Sequence, residues 1–568
     1  MTGTALAGCQ SPVTVPAGDC HPLSRQSPGY APPVSALLGR AWRSSERFAE
    51  GPRAAPALIA AALAVYALVS LALPLAAGRD LARYLLVYAQ LFHADVVYPH
   101  AVLTRTPVAP LVTGGLLDAG SLVAEVGMAV LYALSVLAWC SVARRFGPAA
   151  ALATAAALLL YPGYVLLFHQ LASDAVFAAA FALFAVAVAR MLELPTLGRA
   201  AAHGGSVALL VLVRPVAQVL LLLVLVPVLA VGTWRSRVRA TAAFVLAAGL
   251  PLLGWSLHNQ VRLDDFTVAR GGGASLPLFR AFVADRIVEP GNGPASRELA
   301  RAVSRDLLPY EPYRSYGIDL DTFFSSGSSR IHDDLVVLSD RTWGWDDDYR
   351  HLARVGREAV RAHPGTYFRG VARDVRRLLV WPVYPPVGES EGAVAGIPVG
   401  LTALPPPSEG QPIPSARMAP YLSTPDGRIR EVWTSPTEHH VVFDDPADAA
   451  RAAALDVRVG ELLAALPGRD VRPGLARWLE SASRWYPRPV VWLLVGLVAL
   501  AWRRPRRSAI PLTLAGAALL VLVATALAVY AVAEYSVPVA PAFVLLATVG
   551  VLGRYRPVRG TPAAPAPL

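Results

Sequence analysis

The chain has 568 residues, of which 55% are hydrophobic and only 16% charged, with a formal charge of +11. A soluble domain carries roughly a quarter of charged residues, and long apolar runs such as 54–77 are of the length a bilayer-crossing helix needs. The positive charge does not imply nucleic acid: residues 258–488 hold 28 arginines against 30 acids, and the surplus lies elsewhere. Every basic residue is an arginine, a usage that goes with a GC-rich bacterial genome.

Residues 1–53 are rich in Pro, Ser and Gly without apolar periodicity and read as a disordered segment. The run 54–77 lacks the short core and small-residue cleavage site of a signal peptide, so it is an anchor. Residues 78–120 form a first outer loop. In it Leu81, Tyr84, Leu85 and Tyr88 recur at helical spacing, as for a helix lying on the membrane interface.

A second span covers about 121–143 and stops at Arg144–Arg145; a third starts near Pro148 and a fourth covers about 172–190. The apolar stretch 201–231 is interrupted by Arg214–Pro215. Both residues are costly in mid-bilayer, so it reads as two short crossings meeting at the outer face. A seventh span at about 240–257 completes a bundle over 54–257. Residues 258–488 form an extracytoplasmic domain of mixed α/β character, with helices expected at 294–308, 346–362 and 446–466 and a Pro/Gly-rich linker at 385–420. Three more spans fill 489–553, and 554–568 is a tail. The fold class is therefore an α-helical polytopic membrane protein of about ten transmembrane helices.

Nineteen of the 23 arginines outside 258–488 flank these spans on one side, which fixes that side as cytoplasmic, with both termini there, in the plasma membrane. Polar groups collect at the opposite ends: Asp80, Arg83, His93, Asp95, His100, Arg105, His169, Asp174, Arg214, Glu534 and Tyr535. Ionisable side chains at apolar helix ends are candidates for function, although each alone is also explained by solvation in the headgroup region.

Asp80 directly follows the first span. It suits either the start of a helix or a general base that takes a proton from an acceptor hydroxyl. Arg105 and Arg214 could hold a phosphate, because the planar guanidinium donates two parallel hydrogen bonds to it. His93, Asp95, His100 and His169 are ligand-type residues without ligand spacing, so no metal and no other cofactor is expected.

In this order the motifs resemble the GT-C-fold glycosyltransferases, near the protein mannosyltransferase and aminoarabinose transferase group. The resemblance is carried by Gly78-Arg79-Asp80, Thr106-Pro107-Val108-Ala109-Pro110, Leu171-Ala172-Ser173-Asp174, Leu212-Val213-Arg214-Pro215, Trp255 to Asn259, Ala362 to Tyr367 and Tyr535 to Pro541. It implies an inverting transfer from a polyprenyl-phosphate-linked sugar to a glycan, lipid or protein acceptor, with Asp80 as base. There are two departures: no glutamate stands beside Asp80, where the family often has one, and Glu534 precedes Tyr535, where the family often has an arginine. A transporter or flippase of lipid-linked saccharides is the main rival; it predicts mid-helix charges and repeat symmetry, and neither is evident. A non-catalytic cell-envelope assembly protein is the third reading.

The topology is checked with Ser390→Cys in a chain stripped of its three native cysteines. An impermeant thiol reagent is expected to label it in intact cells, and labelling only after lysis reverses the orientation.

Overall fold

A computed structural model describes residues 51–91, 96–272, 274–380, 424, 426–433, 439–467, 472–503 and 508–553. Residues 1–50, the linker 385–420, the tail 554–568 and the candidates His93 and Asp95 lie outside the described residues.

The first apolar run does not stay helical to residue 77. Helix α1 (Ala54–Ser70) stops where Pro74 would remove a hydrogen bond and press its ring on the carbonyl of Ser70. The chain then extends, and β1 (Ala76–Ala77) pairs in parallel with β2 (Gln170–Leu171). Between the two strands run α2 (Leu81–Gln90), α3 (Pro99–Leu103), α4 (Val108–Asp118), α5 (Ser121–Ala143), α6 (Pro148–Leu159) and α7 (Pro162–Leu167). Helix α2 is the amphipathic helix expected from its spacing, but it is packed in rather than laid on a surface: Leu81, Tyr84, Leu85, Leu86 and Val87 are all buried.

Helix α8 (Ser173–Glu193) leads into α9 (Leu197–Val213). Arg214 then breaks the run where expected. As the residue before a proline it is pushed out of the helical region, to φ −147° and ψ 123°. A 3₁₀ stretch (Pro215–Val224) and α10 (Leu225–Ala230) follow, then α11 (Trp234–Leu263), which at 30 residues outruns the expected 240–257.

The inserted region holds α12 (Pro294–Asp306), α13 (Leu320–Ser325), α14 (Ser329–Trp343), α15 (Arg350–Ala362) and α16 (Pro364–Val380). Next come the hairpin β3 (Ile429–Trp433) and β4 (His439–Phe443), then α17 (Pro446–Ala464) and α18 (Pro473–Trp485). The expected helices are present. The β content among the described residues of this region is that one hairpin, so it is mainly helical rather than evenly mixed. Helices α19 (Pro489–Arg503), α20 (Ala509–Ala528) and α21 (Ala540–Leu552) close the chain.

Among the described residues, five helices (α18 and α19 counted as one) are long and apolar enough to cross a membrane by length and composition, and six shorter apolar helices accompany them. Leu68, Leu122, Leu229 and Trp502 are exposed on this bundle, a surface suited to lipid rather than to water. The protein is a membrane protein. One core runs through the bundle and another fills the inserted region around Phe282, Phe323, Leu335 and Leu352.

Fully buried Arg280 ties the two together. It donates to Asp374 Oδ2 at 2.8 Å and to the carbonyl of Ala526 on α20 at 2.7 Å, and it pairs with Asp285 at 2.9 Å.

The bundle has two chemically different ends. At one, Arg145 pairs with Glu193 at 2.6 Å and Arg199 donates to the Arg190 carbonyl at 2.9 Å. At the other, β1 and β2 meet and the acidic candidates gather.

Gly78 makes that meeting possible. A Cβ there would lie 2.6 Å from Ala172 Cβ and 2.9 Å from the Leu171 carbonyl oxygen. Gly78→Ala is expected to cost about 1–3 kcal/mol through overpacking and to lower the thermal unfolding temperature in detergent. An unchanged temperature removes Gly78 from the argument.

Candidate active site

Gly78 donates its N–H to the Leu171 carbonyl at 3.1 Å, which sets Arg79 and Asp80 beside the start of α8. Asp80 takes φ 61°, a left-handed conformation that a short polar side chain tolerates better than a branched or bulky one. That turn stands the carboxylate between two arginines. Arg105 Nη2 is 3.4 Å from Oδ2, and Arg83 Nη1 is 3.7 Å from Oδ1. The Asp80 side chain is 33% exposed, so the carboxylate is neither sealed nor free.

Arg79 points the other way. It donates to the Tyr535 hydroxyl at 3.1 Å and lies 3.7 Å from Glu534 Oε2. Arg214 pairs with Asp174, and its guanidinium sits 5.1 Å from the centre of the Tyr535 ring. Arg105 lies 5.6 Å from the centre of the Tyr84 ring, and Tyr84 donates to Ser173 Oγ at 2.8 Å. Tyr84 feels the charges of both Arg105 and Arg214, which joins the Asp80 side of the cluster to the Asp174 side.

Seven of the sequence candidates therefore come together: Asp80, Arg83, Arg105, Asp174, Arg214, Glu534 and Tyr535. Arg214 meets a carboxylate whose side chain is 8% exposed.

Two candidates go elsewhere. His100 is buried and shares a 2.8 Å hydrogen bond with the Tyr349 hydroxyl of the inserted region, beside Trp345. Burial, helped by Arg270 and Arg105, pushes its pKa down to about 3, so it is neutral. His169 stacks on Tyr66 at 4.0 Å and bonds Ser70 Oγ and the Val165 carbonyl. Burial takes it down to about 4. Among the described residues no group of three His, Cys, Asp or Glu side chains is arranged to hold a metal.

Arg79, Tyr84 and Ser173 belong to the cluster but were not singled out as site residues. The available signal for Arg79 and Ser173 was their place inside Gly78-Arg79-Asp80 and Leu171-Ala172-Ser173-Asp174; for Tyr84 it was its helical spacing with Leu81, Leu85 and Tyr88. Four arginines thus face three carboxyls, and the arrangement can bind an anion while leaving Asp80 able to accept a proton.

Glu534 decides how large the positive excess is. It is 3% exposed, its Oε1 has no hydrogen-bond partner among the described residues, and Arg79 is not in tight contact. Burial raises its pKa from the ordinary 4.5 to about 8, against the opposing pull of Arg79. The folded protein then keeps a proton that an unfolded chain would release above pH 4.5. This group's contribution to stability therefore falls as pH rises from that value through about 8. The infrared difference between wild type and Glu534→Gln is expected to show a protonated carboxyl band at pH 6 that fades near pH 8. No such band at pH 6 would mean that Glu534 is ionised.

No protein-family model matches the chain, and no functionally described protein matches it in sequence. Among solved structures it is similar to ArnT from Cupriavidus metallidurans bound to undecaprenyl phosphate. That match has 16% identity and a TM-score of 0.30, over 87% of this chain and 77% of that one. The same protein in the apo state matches with 16% identity and a TM-score of 0.30, over 91% and 78%. These structural neighbours are aminoarabinose transferases of the GT-C fold, the group that the motifs resemble.

Proposed function

We propose that this protein is a membrane glycosyltransferase. It moves a sugar from a polyprenyl-phosphate-linked donor to a glycan, lipid or protein acceptor outside the cytoplasm, with inversion at the anomeric carbon. The observation that carries the reading is Asp80, one-third exposed, set 3.4 Å from Arg105 at the edge of a cluster with more arginines than carboxyls. The solved neighbour's bound undecaprenyl phosphate is a ligand of the class proposed here, but the proposal is carried by the residues of this chain.

The chemistry is one displacement. Asp80 takes the proton of the acceptor hydroxyl, whose oxygen forms the new bond to the anomeric carbon. The bond from that carbon to the phosphate oxygen breaks, and the polyprenyl phosphate leaves with the electron pair. A phosphate needs no strong acid to leave, so one carboxylate and several guanidiniums suffice, unlike the two carboxyls of a glycosidase.

Arg105 links the two tasks. While the site is empty it screens Asp80; when the donor phosphate arrives it turns to that anion, which frees the carboxylate to act as base. Arg79, held by Tyr535, and Arg214, held by Asp174, complete the anion site. A transporter of the same lipid needs no base.

The same reading gives ten crossings with both termini cytoplasmic. The connections that follow α1, α9 and α20, which carry Arg79, Arg214 and Glu534–Tyr535, meet the start of α8, which carries Asp174, in the cluster. The arginine-rich opposite end is then the inner face, and the inserted region stands outside.

Asp80→Asn keeps the size of the side chain and tolerates the left-handed turn. Transfer of a labelled sugar from a short-chain polyprenyl-phosphate donor by purified protein in detergent is expected to fall on the order of 10²–10⁴-fold, with donor binding retained. Turnover at the wild-type rate would falsify the assignment of the base. Failure of the wild type with every donor and acceptor, while vesicles still move the lipid, would favour the transporter.

Arg214→Ala with Asp174→Asn, which avoids a stranded carboxylate, is expected to weaken donor binding by about 1.5–3 kcal/mol. Titration calorimetry with the donor lipid and then with the acceptor checks that the loss is on the donor side.

A further inference from the structure

The inserted region contains a cavity of about 840 Å³, within the size range of small-molecule sites. It lies between the end of α12, the turn 307–317, α14 and β3. It belongs to neither the Asp80 cluster nor the bundle, and nothing derived so far uses it.

Its walls carry four arginines, and three of them are neutralised on the spot. Arg305 pairs with Asp306 at 2.7 Å, Arg314 with Glu311 at 2.7 Å and Arg430 with Asp444 at 2.7 Å. Arg341 makes no hydrogen bond and no ion pair among the described residues; the charges it feels are that of Arg430, which opposes its own, and those of Asp334 and Asp340, which favour it. Alone among the four it has no direct partner, and its guanidinium fork suits the carboxylate or phosphate of a ligand.

Tyr310 adds a different feature. This aromatic side chain lies on the cavity wall yet is 64% exposed. The neighbouring Tyr313 is buried, with its hydroxyl given to Asp334. An open aromatic face beside polar walls is the recognition surface a sugar ring requires: its C–H face packs on the ring while its hydroxyls reach polar groups such as Thr342.

We infer that this cavity binds an anionic saccharide, its acid group on Arg341 and one sugar ring on Tyr310. That this saccharide is the acceptor, or the growing end of one, rests on the transferase reading; the binding itself does not.

The test uses the full chain in detergent with trigalacturonate as the probe and maltotriose as its neutral counterpart. Trigalacturonate is expected to bind and maltotriose to bind far more weakly. Arg341→Gln is expected to weaken trigalacturonate about ten- to a hundredfold, as for a lost charge-assisted contact. Arg341→Lys is expected to recover part of that loss, and Tyr310→Ala to weaken binding by a smaller factor.

Binding unaffected by Arg341→Gln places the saccharide elsewhere and overturns the proposal. So does an absence of binding. If inorganic phosphate competes at equal concentration and Tyr310→Ala changes nothing, the cavity is a plain anion site and the saccharide class is wrong. The transfer assay with Asp80→Asn is read separately, so a failed transferase reading and a failed saccharide site give different results.

Discussion

The charged cluster depends on a close backbone approach at Gly78. Two residues of parallel strand pairing, Ala76–Ala77 with Gln170–Leu171, hold the chain after α1 against the start of α8. There is no room for a side chain at Gly78. Because Pro74 ends α1 early, the residues after it are free to extend and pair instead of continuing as a helix. From that point Arg79 and Asp80 necessarily diverge, one toward the Glu534–Tyr535 turn and the other toward Arg105.

Surrounded by apolar helices, these charges must be compensated. An isolated charge in such surroundings costs several kcal/mol, and an ion pair recovers that only with good geometry. The cluster distributes its pairs accordingly. Arg214 and Asp174 are in direct contact, Arg105 and Arg83 flank Asp80 more loosely, and Arg79 stands off from Glu534. The loosest pairs involve the two groups whose protonation the proposed chemistry depends on. A proton on Glu534 leaves Arg79 less fully matched and raises the cluster's attraction for a phosphate.

A second polar node links the first loop to the inserted region. Arg270, 5% exposed, lies over the Trp345 ring at 3.5 Å, pairs with Asp265 at 2.7 Å and reaches Asp340 at 3.2 Å. Tyr349 donates to Asp340 at 2.9 Å and shares a hydrogen bond with His100. Since α3, which carries His100, lies between α2 and Arg105, the node fixes the stretch that carries Arg105 to the region holding the cavity lined by Tyr310 and Arg341. His100 acts there as a structural partner.

Much of the architecture was legible from patterning alone. The span at Ser121–Ala143, the break at Arg214–Pro215 and the helices from Pro294, Arg350 and Pro446 follow from apolar runs, arginine stops and proline chemistry, all local in sequence. The helix-end residues Asp80, Asp174, Arg214, Glu534 and Tyr535 were legible as a set because ionisable groups beside apolar runs are conspicuous.

Which of them touch was decided only by tertiary structure. Asp174 and Arg214 are 40 residues apart, and Arg79 and Tyr535 are 456 apart. No periodicity in the sequence encodes such pairings. The same holds for His100 and His169, which as residue types are possible ligands. They became buried structural neighbours because their surroundings supplied a tyrosine hydroxyl, a serine hydroxyl and a backbone carbonyl. The sequence by itself determined where charge could stand relative to the apolar spans, since that follows from hydropathy along the chain. The partner of each charge was set by packing, because the contacts that neutralise it join helix ends far apart in sequence.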